Sequence, residues 1–450
     1  MKNKAGIDRR NFITKTTLGT IGAAGILTSC SGPSDKKTEK ALPEMPDQAP
    51  DGKLLKAGLI GCGGRGTGAA INFLDAGPNL QITALGDVLQ DRIDSCRKKL
   101  KKERNVEIAD ENCFLGFDSY QKVIDSGVDV VLLVTPPHFR PAHVEAAVNA
   151  RKHIFMEKPI AVDPVGARSV MASAKKAESI GLNMVSGTIR RVQKDYMETQ
   201  RRVTNGEIGE ITGANILRNG GALWYRLPQP EWSEMEYMIR NWVNFCWLSG
   251  DHITEQFIHE IDVMNWHLGD KSPKLAIGYG QRQRRVTGDQ YDFFSIEYVY
   301  ENGLRTHCAA RQINGCTNGK VQQINGTKGY ADAAGTIYDL QGNVIWEYPY
   351  PEEGDNDSKW KVPNPFVQEH VNLVTGIRTG KTVNDAQAQV NSTLMTIMGR
   401  IAAYTGNNVT WEEVMNSDLY LGPKTYSFGP VPGVEEEVPR AGTPSKPRKG

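Results

Sequence analysis

Gly61-Cys62-Gly63-Gly64-Arg65-Gly66 separates the apolar run Leu54–Ile60 from the helix-compatible stretch Thr67–Asp75. A strand that enters a helix through such a turn points to a doubly wound α/β unit. Gly61 permits the tight turn, Gly63 lets the backbone approach a diphosphate, and Gly66 lets the helix pack close to the strand. Gly64 and Arg65 belong to the same candidate set. A second strand, Leu80–Gly86, ends in Asp87, about 20 residues past the last glycine, where an acid binds the adenosine ribose hydroxyls. That acid would repel a 2′-phosphate, which favours NAD over NADP. The competing reading is a glycine-rich turn in an α/β domain that binds no nucleotide.

The alternation continues. Val128–Val134 reads as a buried strand ending in Thr135-Pro136-Pro137-His138, with a helix through His143–Ala150, and His153–Met156 runs into Glu157-Lys158-Pro159. Ligands of open α/β sheets bind beyond the carboxyl ends of the strands, so Thr135, Pro136, His138, Glu157 and Lys158 join the cofactor set.

With Gly187–Arg191, Asn205–Glu210 and Glu255-Gln-Phe-Ile-His259, these motifs resemble the glucose-fructose oxidoreductase, inositol dehydrogenase and rhizopine-catabolism (Gfo/Idh/MocA) family over nearly all of residues 53–420. Glu255 stands where that family has Asp. The resemblance implies an N-terminal Rossmann domain for NAD and a C-terminal α/β domain with a large open, mainly antiparallel sheet. It also implies a carbohydrate substrate and a homo-oligomer.

His252, Glu255, His259 and Asp262 are spaced by three, four and three residues, which on one helix puts all four on one face. Oxidising a secondary alcohol needs a base for the hydroxyl proton, and an imidazole of near-neutral pKa suits that role. His259 is the candidate base. Lys158 would hold the reacting oxygen, and Glu255 would orient the imidazole or bind a neighbouring hydroxyl. A core histidine bonded to Asp262 is the alternative for His259. A metal reading of His-x-x-Glu-x-x-x-His matches no familiar zinc spacing, so no metal is expected.

Trp224, Trp232, Trp242 and Trp247 are interleaved with Tyr225, Arg226, Tyr237, Arg240 and Asn241. Sugar C–H faces lie well on such rings while hydroxyls bond Arg and Asn. Arg190, Trp224, Tyr225, Arg240, Trp242 and Asp262 therefore form the substrate set, with core or interface packing the alternative for each aromatic and helix bracing for Asp262.

Beyond Gly206 the strands alternate, as in Asp292–Tyr300 and Leu304–Ala310 joined at Glu301-Asn302-Gly303, which suggests an antiparallel sheet. Val367–Thr379 and Asp385–Tyr404 read as closing helices.

Residues 1–30 open with a basic segment followed by Leu18–Leu27, too short an apolar run to span a bilayer. Asp8–Ile13 resembles a twin-arginine signal, although Asp8 stands where Ser or Thr is usual, and Leu27–Cys30 resembles a lipobox. The expectation is a lipoprotein anchored through Cys30 in a bacterial envelope, in the periplasm. An ordinary export signal with an accidental Arg pair is the alternative. The expected layout is a signal peptide over 1–30, a tether over 31–52, the nucleotide domain over 53–180, the substrate and oligomerisation domain over 181–422, and a Pro-rich tail, wrapping or loose, over 423–450.

Net charge is +1, and five of the basic residues lie in the leader, so the remaining surface has no general attraction for nucleic acid. Six further cysteines show no CxxC spacing and are expected as free buried thiols, although Cys308 and Cys316 could pair.

Because soluble NAD is scarce outside the cytoplasm, the expected activity uses a cofactor bound before export and recycled in place. A sugar hydroxyl, at C3 of a glycoside, is oxidised. Two alternatives stand: a redox-neutral glycosidase working through transient oxidation and elimination, and a sugar-binding protein with a vestigial NAD site.

Overall fold

The computed structural model describes residues 45–350, 364–434 and 437–443. The expected leader, with Arg9, Arg10 and Cys30, lies outside the described residues.

The first half alternates β1 (Leu55–Ile60), α1 (Gly64–Leu74), β2 (Leu80–Asp87), α2 (Gln90–Arg104), β3 (Cys113–Leu115), α3 (Ser119–Asp125), β4 (Val130–Leu133) and α4 (Arg140–Asn149). It closes with β5 (His153–Met156), α5 (Pro164–Ser179) and β6 (Met184–Ser186). The six strands form one parallel sheet in the order β3-β2-β1-β4-β5-β6. Its central strands are buried on both faces, which explains the unbroken run Val130-Val-Leu-Leu133 in β4. Strand order reverses between β1 and β4, so the crevice for a ligand opens beyond their carboxyl ends, where Gly61 and Thr135 follow.

The second half holds α6 (Lys194–Thr204), β7 (Ile211–Gly220), α7 (Glu234–Arg240), α8 (Cys246–Ser249), α9 (Asp251–Glu255) and α10 (Ile258–His267). Strands β8 (Leu275–Gln281), β9 (Phe293–Val299), β10 (Arg305–Gln312), β11 (Gly319–Gly326), β12 (Gly329–Asp332), β13 (Thr336–Asp339) and β14 (Val344–Glu347) follow. The chain then forms α11 (Pro365–Thr379), α12 (Ala386–Thr405), β15 (Val409–Thr410) and α13 (Trp411–Asn416). Nine strands build the second sheet in the order β14-β13-β12-β11-β7-β10-β9-β8-β15. Every neighbouring pair is antiparallel except β7 and β10.

Two helices join the halves. α12, capped at its end by Gly406 with φ +73°, packs on β8 and β9 and also against α5 and α10. α11 returns to the first half, against α1, β5 and β6. The nucleotide domain therefore includes β6, past the boundary expected at 180, and borrows a helix from far along the chain. Ala49, at the end of the expected tether, is buried, and its N–H bonds the carbonyl of Ala76 at 2.8 Å. Of the six described cysteines none is paired, and Cys316 is exposed, unlike the buried thiols expected.

The expected single helix through His252–Asp262 is two helices. α9 stops at Glu255, the backbone turns through Gln256 (φ −108°, ψ −46°) and Phe257, and α10 starts at Ile258. Phe257 is fully buried, so core packing sets the break. The four polar residues consequently do not share a face.

Candidate active site

β1 runs straight into Gly61, whose φ of +98° and position against the backbone of Val134, 2.7 Å from where a Cβ would stand, exclude a side chain. At Gly66 a Cβ would fall 1.8 Å from the Gly61 carbonyl oxygen, so the turn and α1 fit only as glycine against glycine. Gly63 and Gly64 differ, with open space where a Cβ would be. That space lies at the N-terminus of α1, whose first N–H groups lack intrahelical partners and suit an anion. It opens into a cavity of about 560 Å³. The open glycines, the helix end and a carboxylate one strand away fit a dinucleotide.

That carboxylate is Asp87, at the end of β2 on the cavity wall. Its Oδ2 accepts the N–H of Cys62 at 2.6 Å and its Oδ1 that of Leu89 at 3.0 Å. Burial pushes its pKa up, while those N–H groups and the Arg92 charge oppose the shift. Arg92 lines the same cavity, and no local motif pointed to it. Asp87→Ala is expected to weaken NAD and to relax discrimination against NADP by at least about tenfold, since Arg92 then meets a 2′-phosphate unopposed. The ratio of the two dissociation constants, from fluorescence titration, measures it; an unchanged ratio removes Asp87 from the ribose site.

The cavity's other end gathers Lys158, Glu255 and His259. Lys158 follows β5, and its Nζ donates to the Glu255 carbonyl and, at 3.0 Å, to Glu255 Oε1. Glu255 Oε2 is buried with no hydrogen-bond partner among the described residues. An acceptor left unmet in a cavity costs free energy until a donor arrives, and a sugar hydroxyl is such a donor. His259 opens the first turn of α10. Burial, then the charges of Lys158, Arg190, Arg218 and Arg65, hold its imidazole well below the usual range. This corrects the near-neutral pKa expected from sequence: the ring is an unprotonated base at neutral pH.

Two buried arginines fix this corner. Arg140 donates to the carbonyls of Thr135 (2.5 Å) and Pro159, tying together the loops after β4 and β5. Arg400 donates to the carbonyls of Gly250 and Val162, each at 2.8 Å, and so links the turn before α9 to the loop that carries Lys158. Glu157 also lines the cavity and accepts from Arg65 at 2.5 Å, while the Arg65 guanidinium lies 4.5 Å from the Phe366 ring centre.

Of the other expected site residues, Gly61, Gly63, Gly64, Arg65, Gly66, Thr135, Pro136, Trp224 and Trp242 line the cavity. Five do not serve as expected. Asp262 accepts from Arg191 at 2.9 Å and from Ser392 at 2.7 Å, so it braces α10. Arg190 pairs with Glu260 at 2.8 Å, outside the cavity wall, and reaches His259 only through its charge. Tyr225 is exposed and His138 lies behind the wall, bonded to the Tyr426 hydroxyl at 2.7 Å. Arg240 is on the wall, but Asp91 of α2 (2.9 Å) and Glu236 (2.8 Å) hold its guanidinium, which makes it a latch between α7 and the nucleotide domain. His252 turns from Glu255 and His259 to stand 5.0 Å from Phe294, ring to ring, which separates the three residues of the metal reading. Among the described residues no group of three or more His, Cys, Asp or Glu could hold a metal.

The C-terminal segment packs against the outer side of the elements that form this cavity. The N–H of Leu421 bonds Asp163 at 3.0 Å, the Tyr426 ring centre lies 5.4 Å from that of Phe139, and the N–H of Val431 reaches Glu234 of α7 at 2.7 Å. The Tyr291 hydroxyl donates to the Pro439 carbonyl at 2.9 Å, so the expected tail is a wrapping strap on both sides of residues 435–436.

Residues 55–184 match the model of an oxidoreductase family with an NAD-binding Rossmann fold. The chain is 26% identical over 234 residues to an inositol 2-dehydrogenase of Salmonella paratyphi B, covering 52% of this chain and 60% of that protein. It is 25% identical over 343 residues to the scyllo-inositol 2-dehydrogenase (NAD(+)) of Bacillus subtilis, covering 75% and 91%. The crystal structure of scyllo-inositol dehydrogenase from Lactobacillus casei with bound NAD(H) and scyllo-inositol superposes with a TM-score of 0.59 at 21% identity, over 79% of this chain and 99% of that one. That likeness covers the fold of both halves.

Proposed function

We propose, from the premise that residues 55–184 belong to the Gfo/Idh/MocA oxidoreductase family, that this chain oxidises and reduces a hydroxyl of a sugar or glycoside with NAD. The convergence of Lys158, Glu255 and His259 on the cavity that also holds the glycine turn carries this reading. When bound, NAD accepts the hydride from the carbinol carbon. The chain's own groups do the rest. Lys158 spends two of its three donors on Glu255 and keeps one for the reacting oxygen, where it stabilises developing negative charge. His259 takes the hydroxyl proton, and Glu255 Oε2 accepts from a neighbouring hydroxyl. Trp224 and Trp242 offer apolar faces to the sugar ring.

The Arg240–Asp91 latch on the cavity wall supports a cofactor that would be retained through turnover, with a second sugar bearing a carbonyl group as the hydride acceptor. The C3 hydroxyl of a glycoside is the position proposed for attack. The leader motifs support export and lipid anchorage through Cys30: Cys30→Ser is expected to move the protein from the membrane to the soluble fraction, and unchanged fractionation refutes the anchor.

Incubating the purified protein with a panel of glycosides, a free ketose as hydride acceptor and no added NAD tests the activity. Ketosugar is the expected product. Free aglycone without ketosugar would replace this reading with the eliminative glycosidase, and binding without either product would leave a sugar-binding protein.

A further inference from the structure

A second cavity of about 400 Å³ lies under the ends of β7 and β10 and the start of β11. It shares no lining residue with the first, but Glu255 lines one and the next residue, Gln256, lines the other. Its wall carries Arg218, Arg311, Lys320 and His252 and, among the described residues, no carboxylate. His252 is 1% exposed, and its Nε2 has no hydrogen-bond partner among the described residues; the same holds for Nε of Arg311. Gly220 and Gly319 leave open space where side chains would stand, so the cavity is clear at the strand ends.

The cations are only partly used. Arg218 gives one nitrogen to Glu260 at 2.9 Å, Arg311 gives one to the carbonyl of Thr317, and Lys320 bonds the Tyr196 hydroxyl at 3.0 Å. Three clustered cations with an unmet buried donor at Arg311 Nε, beside a His252 Nε2 that can donate in one tautomer, form a demand for an oxyanion, because guanidinium groups bind carboxylate, sulfate and phosphate in a charge-assisted way. We propose that this cavity binds an anionic group, either carried by the sugar substrate as a carboxylate, phosphate or sulfate, or free as a small oxyanion. The substrate-borne form rests on the sugar oxidoreductase reading; oxyanion binding itself does not.

Isothermal titration of the purified, cofactor-loaded protein with methyl glucuronide, methyl glucoside and inorganic phosphate separates these sources, since heat of binding needs no turnover. A substrate-borne group predicts glucuronide binding at least about tenfold tighter than glucoside, with the difference lost in Arg311→Gln and Lys320→Gln. Both variants are expected to keep their NAD content, which shows that the fold is intact. Phosphate binding that the two variants abolish, with the sugars indistinguishable, assigns the cavity to a free oxyanion. No binding of glucuronide or phosphate, or binding that both variants retain unchanged, overturns the proposal. Failure of every sugar to reduce the cofactor would refute the oxidoreductase reading and leave these titrations standing.

Discussion

Lys158→Ala and His259→Ala are each expected to lower the single-turnover rate of NAD reduction by about 10²–10⁴, the range for loss of a positioned acid-base or charge-stabilising group. Both variants should copurify with as much nucleotide as the parent, because neither side chain belongs to the glycine turn or to the Asp87 end of the cavity. The pH profile separates the two residues. Burial and neighbouring cations depress the His259 pKa, so the base is fully available through neutrality and is lost only as pH falls through its lowered value. The parent enzyme should therefore have a flat rate across pH 6.5–8, using the ordinary histidine value of about 6.5 as the reference, with an acid limb below that range. His259→Ala should remove the limb, and Lys158→Ala should keep it, moved to higher pH by loss of the neighbouring charge, at a reduced rate. An acid limb that survives His259→Ala places the base on another residue.

Gly66→Ala is expected to yield folded protein with at least about tenfold less bound nucleotide. One methyl group suffices because the new Cβ, whose position the backbone fixes, meets the backbone carbonyl oxygen of Gly61 at 1.8 Å. Neither can rotate away, so α1 must move off the turn and carry its N-terminal N–H groups with it. Circular dichroism verifies folding, and chromatography of acid-released nucleotide gives the content. Normal content in the variant would mean that the turn does not hold the diphosphate. The matching change at Gly63, where the space is open, should leave α1 in place and reduce content only by crowding the ligand.

The nucleotide half was legible because its signals are local. A buried run, three glycines and a terminal acid occupy little more than thirty residues, and each has a backbone reason to be where it is. Lys158 and His259 were legible as chemistry, through the motifs around them. The helix through residues 252–262 was misread because periodicity assumes an unbroken axis, and the break at Gln256 and Phe257 is set by burial of Phe257 in the core. The roles of Asp262, Arg190 and Arg240 were misassigned for a related reason. Their partners Arg191, Glu260 and Asp91 lie 71, 70 and 149 residues away, and no local pattern announces such a pairing. Arg140 and Arg400, which fix the catalytic loops, carried no signal at all, since a lone arginine in a helical stretch reads as surface.

The strap across residues 421–431 also sets an order of events in time. A ribosome releases the glycine turn early and makes the strap near the end of the chain, and at about 5–20 residues per second that separation is tens of seconds. Throughout this interval the dinucleotide crevice lacks the residues that hold Asp163 and α7. The wall that α7 contributes to the crevice through Ile239 and Arg240 is therefore braced only in the finished chain, and a C-terminally clipped product would lack that brace. The last segment to be synthesised thus fixes the position of α7, long after the glycine turn has left the ribosome.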